Sequence, residues 1–383
     1  MVIGAGPAGL AAAAELGRRG VAATVLEQAN AVASSWRGRY DRLRLNSSRW
    51  FSSLPGERYP RSAGTFPSRD QMVSYLEGYA RAKSVDVRLN TQVERIDRDS
   101  DAWVVRTSTG DLAAEHVIVA SGYAHTPFIP DWPGRDAFRG RVMHAADYRS
   151  PAAFRDGDVL VVGPGCSGME IAYDLIDSGA RRVRLAVRTP PNIIIRSPIG
   201  PLFARALLKL GPRRADRVMP LIRRLEVGDL TEYGLPVPEE GIFARLQRLG
   251  VAPAIVDKEV IEAIKERRIE IVGGVESLDG SGVMLADGTR IEPDAVIAAT
   301  GYRTGLEPVV GHLDVLDDRG VPRPPNGDEA APGLRFIGFL PRPAHLGLIG
   351  TEATRAAAAI ARGSQPASSR PIQLSAGPLT RHS

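Results

Sequence analysis

The chain carries one structural pattern twice, and this repeat restricts the possible folds more than any other feature of its 383 residues. Each copy opens with an apolar strand, a glycine turn and a helix, and closes with a strand that ends in Ser/Thr-Gly-Tyr. The copies run from Met1 to Ala124 and from Asp158 to Arg303. A stretch of alternating residues with a Gly/Asp turn precedes each closing strand. The pattern predicts an α/β protein with two parallel sheets, each with an antiparallel appendage.

The first glycine turn has the spacing of a pyrophosphate site. Gly4, Gly6 and Gly9 form G-x-G-x-x-G between a strand and a helix. The first glycine permits the tight turn, the second lets the backbone approach a pyrophosphate, and the third allows close packing of helix on strand. Glu27 ends the next strand-like segment, where a carboxylate accepts the ribose hydroxyls of an adenine dinucleotide.

The second glycine turn repeats this spacing with a different residue after the following strand. Gly163, Gly165 and Gly168 lead into a helix, and Arg188 stands where the first copy has Glu27. A guanidinium binds a 2′-phosphate bidentately, whereas a carboxylate repels it. We therefore expect FAD at the first turn and NADPH at the second. An exposed arginine at a strand end is the alternative for Arg188.

The amino-acid composition argues against several classes of reaction and binding site. Cys166 is the single cysteine, so the chain has no internal disulfide and no CxxC pair, which argues against thioredoxin-reductase chemistry and suits a cytoplasmic location. The six histidines lack metal-ligand spacing, and we expect no metal. No apolar run is long enough to span a membrane, and no interleaving of aromatic and basic residues indicates nucleic-acid binding.

Positive charge is concentrated in the segment from Ile199 to Leu225. This segment is compatible with a solvated helical cap, a helix on a membrane surface, or a patch that steers an anionic substrate. Weak peripheral membrane contact therefore stays open, as does the oligomeric state. The segment contains the basic residues Arg205, Lys209, Arg213, Arg214, Arg217, Arg223 and Arg224, against one acid, Asp216.

The repeat also predicts the domain organisation. We expect two Rossmann-like domains: an FAD domain of residues 1–150 and 302–362, and an NADPH domain of residues 151–301 inserted into it. A helical insertion is expected at about 190–256, and a disordered Ser/Pro/Gly-rich tail at 363–383. A further helix, opened by Ser68, is expected between Phe66 and Lys83.

One segment before the second turn points to a known family. Phe138, Gly140, His144 and Tyr148 match the signature F-x-G-x-x-x-H-x-x-x-Y/F, so the chain resembles the class B flavin-containing monooxygenases. The resemblance covers nearly the whole chain, and the similar members of this family include bacterial relatives and the plant auxin-forming branch. The related Baeyer–Villiger enzymes usually have Trp followed by Pro or Asp where this chain has Tyr148 and Arg149.

The resemblance implies an NADPH-dependent reaction cycle. NADPH reduces FAD, O₂ adds at flavin C4a, and the resulting hydroperoxide gives one oxygen atom to a small soft nucleophile or carbonyl substrate. Asn46 falls where many of these enzymes place an asparagine beside the flavin, although the auxin-forming enzymes tend to differ there. Gly347–Thr351 is interpreted as a glycine loop entering a helix whose N-terminus faces the flavin.

Two other functions stay open. One is an NADPH oxidase or flavin reductase that inserts no oxygen, and the other is a non-catalytic nucleotide-sensing or membrane-peripheral module.

The residues expected to hold the two cofactors come from both glycine turns and from further positions that the resemblance implies. They are Gly4, Gly6, Pro7, Ala8, Gly9, Glu27, Gln28, Trp36, Val93, Gly122, His144, Gly163, Gly165, Cys166, Ser167, Gly168, Arg188, Gly301, Gly338 and Leu348.

Overall fold

The computed structural model describes residues 1–100, 102–209, 211–250, 252–340 and 345–363, with backbone only at 205 and 208. These residues form two sheets dominated by parallel strands, with helices against them and an antiparallel appendage on each, as the repeat predicts. The tail expected at 363–383 lies, from residue 364 onward, outside the described residues.

The first sheet has six strands, and its short first strand lies inside it. Val2–Ile3 pairs in parallel with Thr24–Leu26 on one side and Val117–Val119 on the other. Antiparallel strands Val93–Asp99, Ala102–Thr107 and Gly110–Ala114 form the appendage. The order across the sheet is Glu329–Ala331, Leu334–Phe336, Val117–Val119, Val2–Ile3, Thr24–Leu26 and Asp86–Arg88.

The second sheet has five strands, all parallel to their neighbours. The strand Arg141–His144, which carries the histidine of the family signature, forms its edge beside Ala295–Ala298. The appendage here is Val275–Leu278, Val283–Leu285 and Arg290–Ile291. The order across the sheet is Ile269–Gly273, Arg182–Val187, Asp158–Val162, Ala295–Ala298 and Arg141–His144.

Three helices pack on one another in the first unit. Pro7–Gly17 and His345–Gly363 make close contact through alanines, since small side chains let helix backbones approach. The helix expected from Phe66 spans Arg69–Ala82, and a capping box at Ser68 satisfies its first backbone amides. The last helix begins at His345, so the interpretation of 347–351 as a loop is wrong, and those residues are helical.

The segment 190–256 is mostly helical, as expected, but also holds two strands. Ile193–Ile195 and Ala254–Val256 pair in parallel at its two ends. The sequence shows no alternation there because both faces of these short strands are largely covered. Between them lie the helices Gly200–Lys209, Pro212–Glu226 and Ile242–Leu249 and the 3₁₀ turn Thr231–Tyr233.

The two units are joined by two chain crossings that pair with each other. Thr126–Pro127 on the way out and Tyr302–Arg303 on the return form a short antiparallel ladder. Among the described residues, no helix combines the length and hydrophobicity needed to cross a bilayer. The remaining helices are Ser34–Arg37, Arg49–Ser52, Cys166–Asp177, Lys258–Lys265 and Glu307–Val310, with 3₁₀ turns Arg61–Ala63, Arg135–Ala137, Pro151–Phe154 and Gly311–Leu313.

Candidate active site

The first glycine turn is built by close approach of backbone to backbone. Gly4 has φ +98°, and an added Cβ would lie 3.0 Å from the Ala120 carbonyl oxygen. A Cβ on Gly9 would lie 1.8 Å from the Gly4 carbonyl oxygen, so the turn excludes any side chain there. Gly6 differs, because within the described residues no atom lies within 4 Å of its added Cβ. The space in front of Gly6 is therefore open for a phosphate.

Glu27 is held against this turn. Its Oε2 accepts a hydrogen bond from the Ala5 amide at 2.8 Å, inside the glycine motif, and the side chain is buried. Its Oε1 accepts from the Ala29 amide at 3.0 Å and the Ser34 hydroxyl at 3.1 Å. The predicted proximity of Glu27 to its own glycine turn is confirmed, and the carboxylate keeps lone pairs for ribose hydroxyls.

The second glycine turn repeats the geometry of the first. Gly163 has φ +111°, and its Cβ would lie 2.5 Å from the Ala299 carbonyl oxygen. A Cβ on Gly168 would lie 1.8 Å from the Gly163 carbonyl oxygen, whereas none of the described atoms lies within 4 Å of one on Gly165. The two turns thus share one design, in which the middle glycine opens space for a phosphate.

The sequence pattern of the two copies aligned Arg188 with Glu27, but the strand register moves Arg188 one position further along. The Gly4 amide donates to the Leu26 carbonyl, and the Gly163 amide donates to the Ala186 carbonyl. Val187 therefore corresponds to Glu27, and Arg188 corresponds to Gln28. Arg188 is exposed at the carboxyl end of its strand, the edge where dinucleotides bind in such sheets.

Both turns open into one cavity of about 920 Å³. Ile194, Phe243 and Leu246, from the segment 190–256, add apolar side chains to its wall. The predicted residues Gly9, Gly163, Gly168 and Arg188 lie outside the lining, as does Leu348, in whose place Leu346 and Ile349 face the cavity. The predicted residues in the lining are Gly4, Gly6, Pro7, Ala8, Glu27, Gln28, Trp36, Asn46, Val93, Gly122, His144, Gly165, Cys166, Ser167, Gly301 and Gly338.

A serine with a buried hydroxyl lines this cavity. Ser121 follows the closing strand of the first copy and belongs to the lining. Its Oγ is buried and has no hydrogen-bond partner among the described residues. Because a buried hydroxyl is costly to leave unpaired, a polar ligand at this position fits the site. Together with the open space at Gly6, this observation makes the residues present compatible with bound FAD.

Asn46 links the two halves of the cavity. Its Nδ2 lies 3.5 Å from the Cys166 Sγ in the second glycine turn. Its Oδ1 accepts from Arg196 Nη2 at 3.4 Å. The Cys166 Sγ also accepts from the Ile255 amide at 3.2 Å, and burial raises the pKa of this thiol. Asn46 thus has a defined orientation, and Cys166 packs as a neutral thiol.

A buried ion pair lies next to Asn46, and no sequence pattern indicated it. Arg196, whose side chain is 3% exposed, donates to Glu170 on the helix that follows the second turn and to Asp257 at 2.8 Å. The Tyr40 hydroxyl donates to the other oxygen of Glu170. Burial raises the pKa of Glu170, and Arg196 opposes that shift. No spacing signal identifies this network, because its members come from four separate elements.

His144 is fixed in one tautomer. The Ala146 amide donates to Nδ1 at 3.0 Å, so Nε2 carries the proton and donates to the Gly301 carbonyl at 3.0 Å. Burial lowers the pKa of His144, which keeps the ring neutral near pH 7. The ring stands edge-on to Tyr302 at 5.0 Å, and Arg39 lies over Tyr302 at 4.7 Å.

The other residues of the family signature hold the edge of the second sheet in place. A Cβ on Gly140 would lie 2.5 Å from the ring of Phe138 and 2.7 Å from the Asp294 carbonyl oxygen. Tyr148 is buried, and its hydroxyl donates to Asp174 at 2.7 Å. Within the signature, His144 lines the cavity.

Comparisons with known proteins agree with this geometry. A family model described as pyridine nucleotide-disulphide oxidoreductase matches residues 1–197. The chain is 37% identical to the indole-3-pyruvate monooxygenase YUCCA1 of Oryza sativa subsp. japonica, over 92% of this chain and 88% of that protein. It is 33% identical to the probable indole-3-pyruvate monooxygenase YUCCA3 of Arabidopsis thaliana, over 88% of this chain and 81% of that protein.

Solved structures share the fold. The flavin-containing monooxygenase of Stenotrophomonas maltophilia matches with a TM-score of 0.69 and 24% identity, over 94% of this chain and 96% of that one. Cyclohexanone monooxygenase of Rhodococcus sp. Phi1 matches with a TM-score of 0.70 and 16% identity, over 94% and 83%. With a single cysteine, this chain has no dithiol pair of its own. The chain belongs to the pyridine nucleotide-disulphide oxidoreductase family and, within it, to the flavin monooxygenases that use FAD and NADPH.

Proposed function

We propose that the protein monooxygenates a small aromatic 2-oxo acid, with indole-3-pyruvate as the representative substrate. The observation that carries the proposal is a single cavity lined by both glycine turns and by apolar residues of the insertion. The similarity to indole-3-pyruvate monooxygenases over about nine-tenths of the chain supports this choice of substrate. The single cysteine supports a cytoplasmic location.

The chain divides the work of binding between its two halves. Gly6 and Glu27 would hold the pyrophosphate and ribose of FAD, and the Ser121 hydroxyl would donate a hydrogen bond to FAD. Gly165 would hold the pyrophosphate of NADPH, with Arg188 on its 2′-phosphate. Bound FAD supplies the redox chemistry, accepting a hydride from NADPH and activating O₂. The protein positions the reactants and excludes water from the cavity.

The lining offers suitable partners for both ends of an aromatic 2-oxo acid. Ile194, Phe243 and Leu246 give the insertion side an apolar surface that suits an aromatic ring. Arg39 and Arg44 belong to the same lining and supply positive charge for a carboxylate. Asn46 comes from the same segment as these arginines, and its amide is the group we place nearest the reacting oxygen.

Oxygen balance tests the proposal directly. The purified flavoprotein is mixed with NADPH, ¹⁸O₂ and either indole-3-pyruvate, an amine, a sulfide or a cyclic ketone. We expect one labelled oxygen atom in the product of the 2-oxo acid for each NADPH consumed. Peroxide formed in a one-to-one ratio with NADPH for every compound would instead identify an oxidase. If only one of the other compounds gave labelled product, the monooxygenase function would stand and the proposed substrate would be wrong.

Arg188 sets the preference for NADPH in this proposal. Arg188→Ala is expected to raise the KM for NADPH about ten- to hundredfold, because a charge-assisted hydrogen bond contributes about 1.5–3 kcal/mol. The KM for NADH should stay nearly unchanged. Steady-state NADPH and NADH oxidation measures both, with Arg155→Ala as the control for loss of an exposed arginine in the same unit. If the KM values for NADPH and NADH rose equally, Arg188 would not be the residue that binds the 2′-phosphate.

Asn46 is proposed to couple reduction to oxygen insertion. Asn46→Ala is expected to retain FAD but to raise the peroxide released per NADPH roughly tenfold, the effect of losing one hydrogen bond of about 1.4 kcal/mol. A peroxide assay beside the product assay measures this leak. Asn192→Ala, which removes a donor to the Glu240 carbonyl, is the control. Unchanged coupling in Asn46→Ala would make Asn46 a structural residue.

A further inference from the structure

The helices Gly200–Lys209 and Pro212–Glu226 carry apolar side chains on the outside of the protein. Leu221 is 62% exposed and Leu225 is 79% exposed, although large aliphatic side chains normally pack inside. We call this surface, with its neighbouring cations, the basic–apolar patch. Its apolar members are Ile199, Leu202, Phe203, Val218, Leu221 and Leu225. Its basic members are Lys209, Arg213, Arg214, Arg217 and Arg224, all of them exposed.

The helix Pro212–Glu226 separates these side chains into stripes. Val218, Leu221 and Leu225 lie at i, i+3 and i+7, which places them on one face of the helix. Arg213 and Arg217 lie at i and i+4, which places them on an adjacent stripe about a quarter-turn away. The opposite side is anchored through buried Ala215. The helix therefore presents an outward face on which apolar and basic stripes lie side by side.

The acid of this segment does not offset the arginines. Both carboxylate oxygens of Asp216 accept backbone amides at the start of the helix Ile242–Leu249, from Phe243 and Ala244, each at 2.9 Å. Within the described part of the chain, no carboxylate forms an ion pair with the basic members of the patch.

Hydrogen bonds from Thr231, and then the charges of Arg223 and Arg224, lower the pKa of Asp229, so one carboxylate lies near the patch. Exposed Glu226 ends the helix. The five basic members outnumber these two acids, so the outward face keeps a net positive charge beside its apolar side chains.

We propose that the basic–apolar patch docks on the anionic surface of a phospholipid bilayer. Such a surface matches both features of the patch, since lipid phosphates attract the arginines while the leucines enter the acyl boundary. A second copy of the chain is a poorer match, because a two-fold contact would place the same arginines against each other. The proposal concerns a docking surface and is independent of the substrate.

The patch adjoins the cavity. Pro201 and Ala204 of the helix Gly200–Lys209 line the cavity, while Leu202 and Phe203 of the same helix belong to the patch. Docking would therefore place the outer side of the cavity wall at the lipid surface.

Vesicle flotation of the flavin-loaded protein tests the proposal. We expect binding to phosphatidylcholine vesicles that contain about a third phosphatidylglycerol, weak binding to phosphatidylcholine alone, and release at high salt. Arg213→Gln, Arg217→Gln and Arg224→Gln together should lower the partition coefficient by about two orders of magnitude, since each cation near the surface contributes about a factor of five. Leu221→Ser with Leu225→Ser should lower it at least about tenfold.

Matched controls separate docking from general charge effects. Arg58→Gln, Arg61→Gln and Arg81→Gln together remove the same charge from another exposed surface, and Val237→Ser removes an exposed apolar side chain outside the patch. Both controls should bind vesicles as the unmodified protein does. NADPH oxidation without vesicles should be the same in every variant.

Three results would overturn the proposal. The first is the absence of binding of the unmodified protein to anionic vesicles at low salt. The second is equal binding of the patch variants and their controls. The third is self-association, measured by sedimentation, that the Leu221 and Leu225 changes abolish while vesicle binding persists, since the patch would then be a protein–protein interface. Because turnover is measured in solution, none of these results bears on the proposed substrate.

Discussion

Replacing Gly9 with alanine is expected to prevent formation of the flavin-loaded protein. The added Cβ would lie 1.8 Å from the Gly4 carbonyl oxygen, and 3.1 Å from the carbon that carries it. Both neighbours are backbone atoms of the same tight turn, so neither rotates away. The helix Pro7–Gly17 would have to move off its strand, and the open space at Gly6 would be lost. Flavin absorbance per protein and the thermal melting curve measure the loss.

Gly6→Ala is the control for Gly9→Ala, because it adds the same methyl group to the same turn at an open position. Its Cβ meets no described atom within 4 Å, so the protein should fold with a nearly unchanged melting temperature in the absence of flavin. FAD affinity should fall sharply, because the methyl group fills the space assigned to the pyrophosphate. Gly17→Ala, in an equally open helical position, should affect neither property. A flavin-loaded Gly9→Ala protein with normal stability would contradict the turn geometry.

Arg196→Ala is expected to destabilise the protein strongly. It leaves the Glu170 carboxylate buried without its cation, and breaking a buried ion pair from one side costs about 3–5 kcal/mol. The variant should also release more peroxide per NADPH, because Asn46 loses the donor to its Oδ1. Urea denaturation measures the first effect, and the peroxide assay measures the second.

An exposed ion pair supplies the control for Arg196. Arg248 pairs with Glu240 at 2.7 Å, but its side chain is 61% exposed. Removing an exposed pair changes the free energy of unfolding by about 1 kcal/mol or less. Arg248→Ala should therefore unfold at nearly the unmodified urea concentration. If the two variants lost similar stability, the Arg196 network would be a weak solvent-screened contact.

Local patterns in the sequence predicted most of the scaffold. Each glycine turn is specified within about ten residues, and Ser68 and the alternating appendage strands are equally local. The placement of Arg188 was off by one position, because the end of a strand is fixed by hydrogen bonds to its neighbour. The start of the last helix was missed because Gly347 and Gly350 suggest a loop, although both pack against backbone or proline at positions 51 and 55.

The site itself was only partly predictable. Asn46 and His144 were found through the resemblance to a family, whereas Arg196, Glu170 and Tyr40 were not found at all. Tyr40 and Glu170 are 130 residues apart in the chain. Their contact depends on how the two units sit against each other, and no periodicity or spacing encodes that arrangement.

The paired crossings between the two units restrict how those units can move. Thr126 and Pro127 pair with Arg303 and Tyr302 in an antiparallel ladder, so the outgoing and returning segments form one ribbon. A ribbon of two bonded strands bends across its plane more easily than it shears within it. Any swing that admits or releases a nicotinamide coenzyme must therefore flex both segments together. Because Tyr302 contacts His144 and Arg39, bending of the ribbon would also move these two residues of the cavity wall.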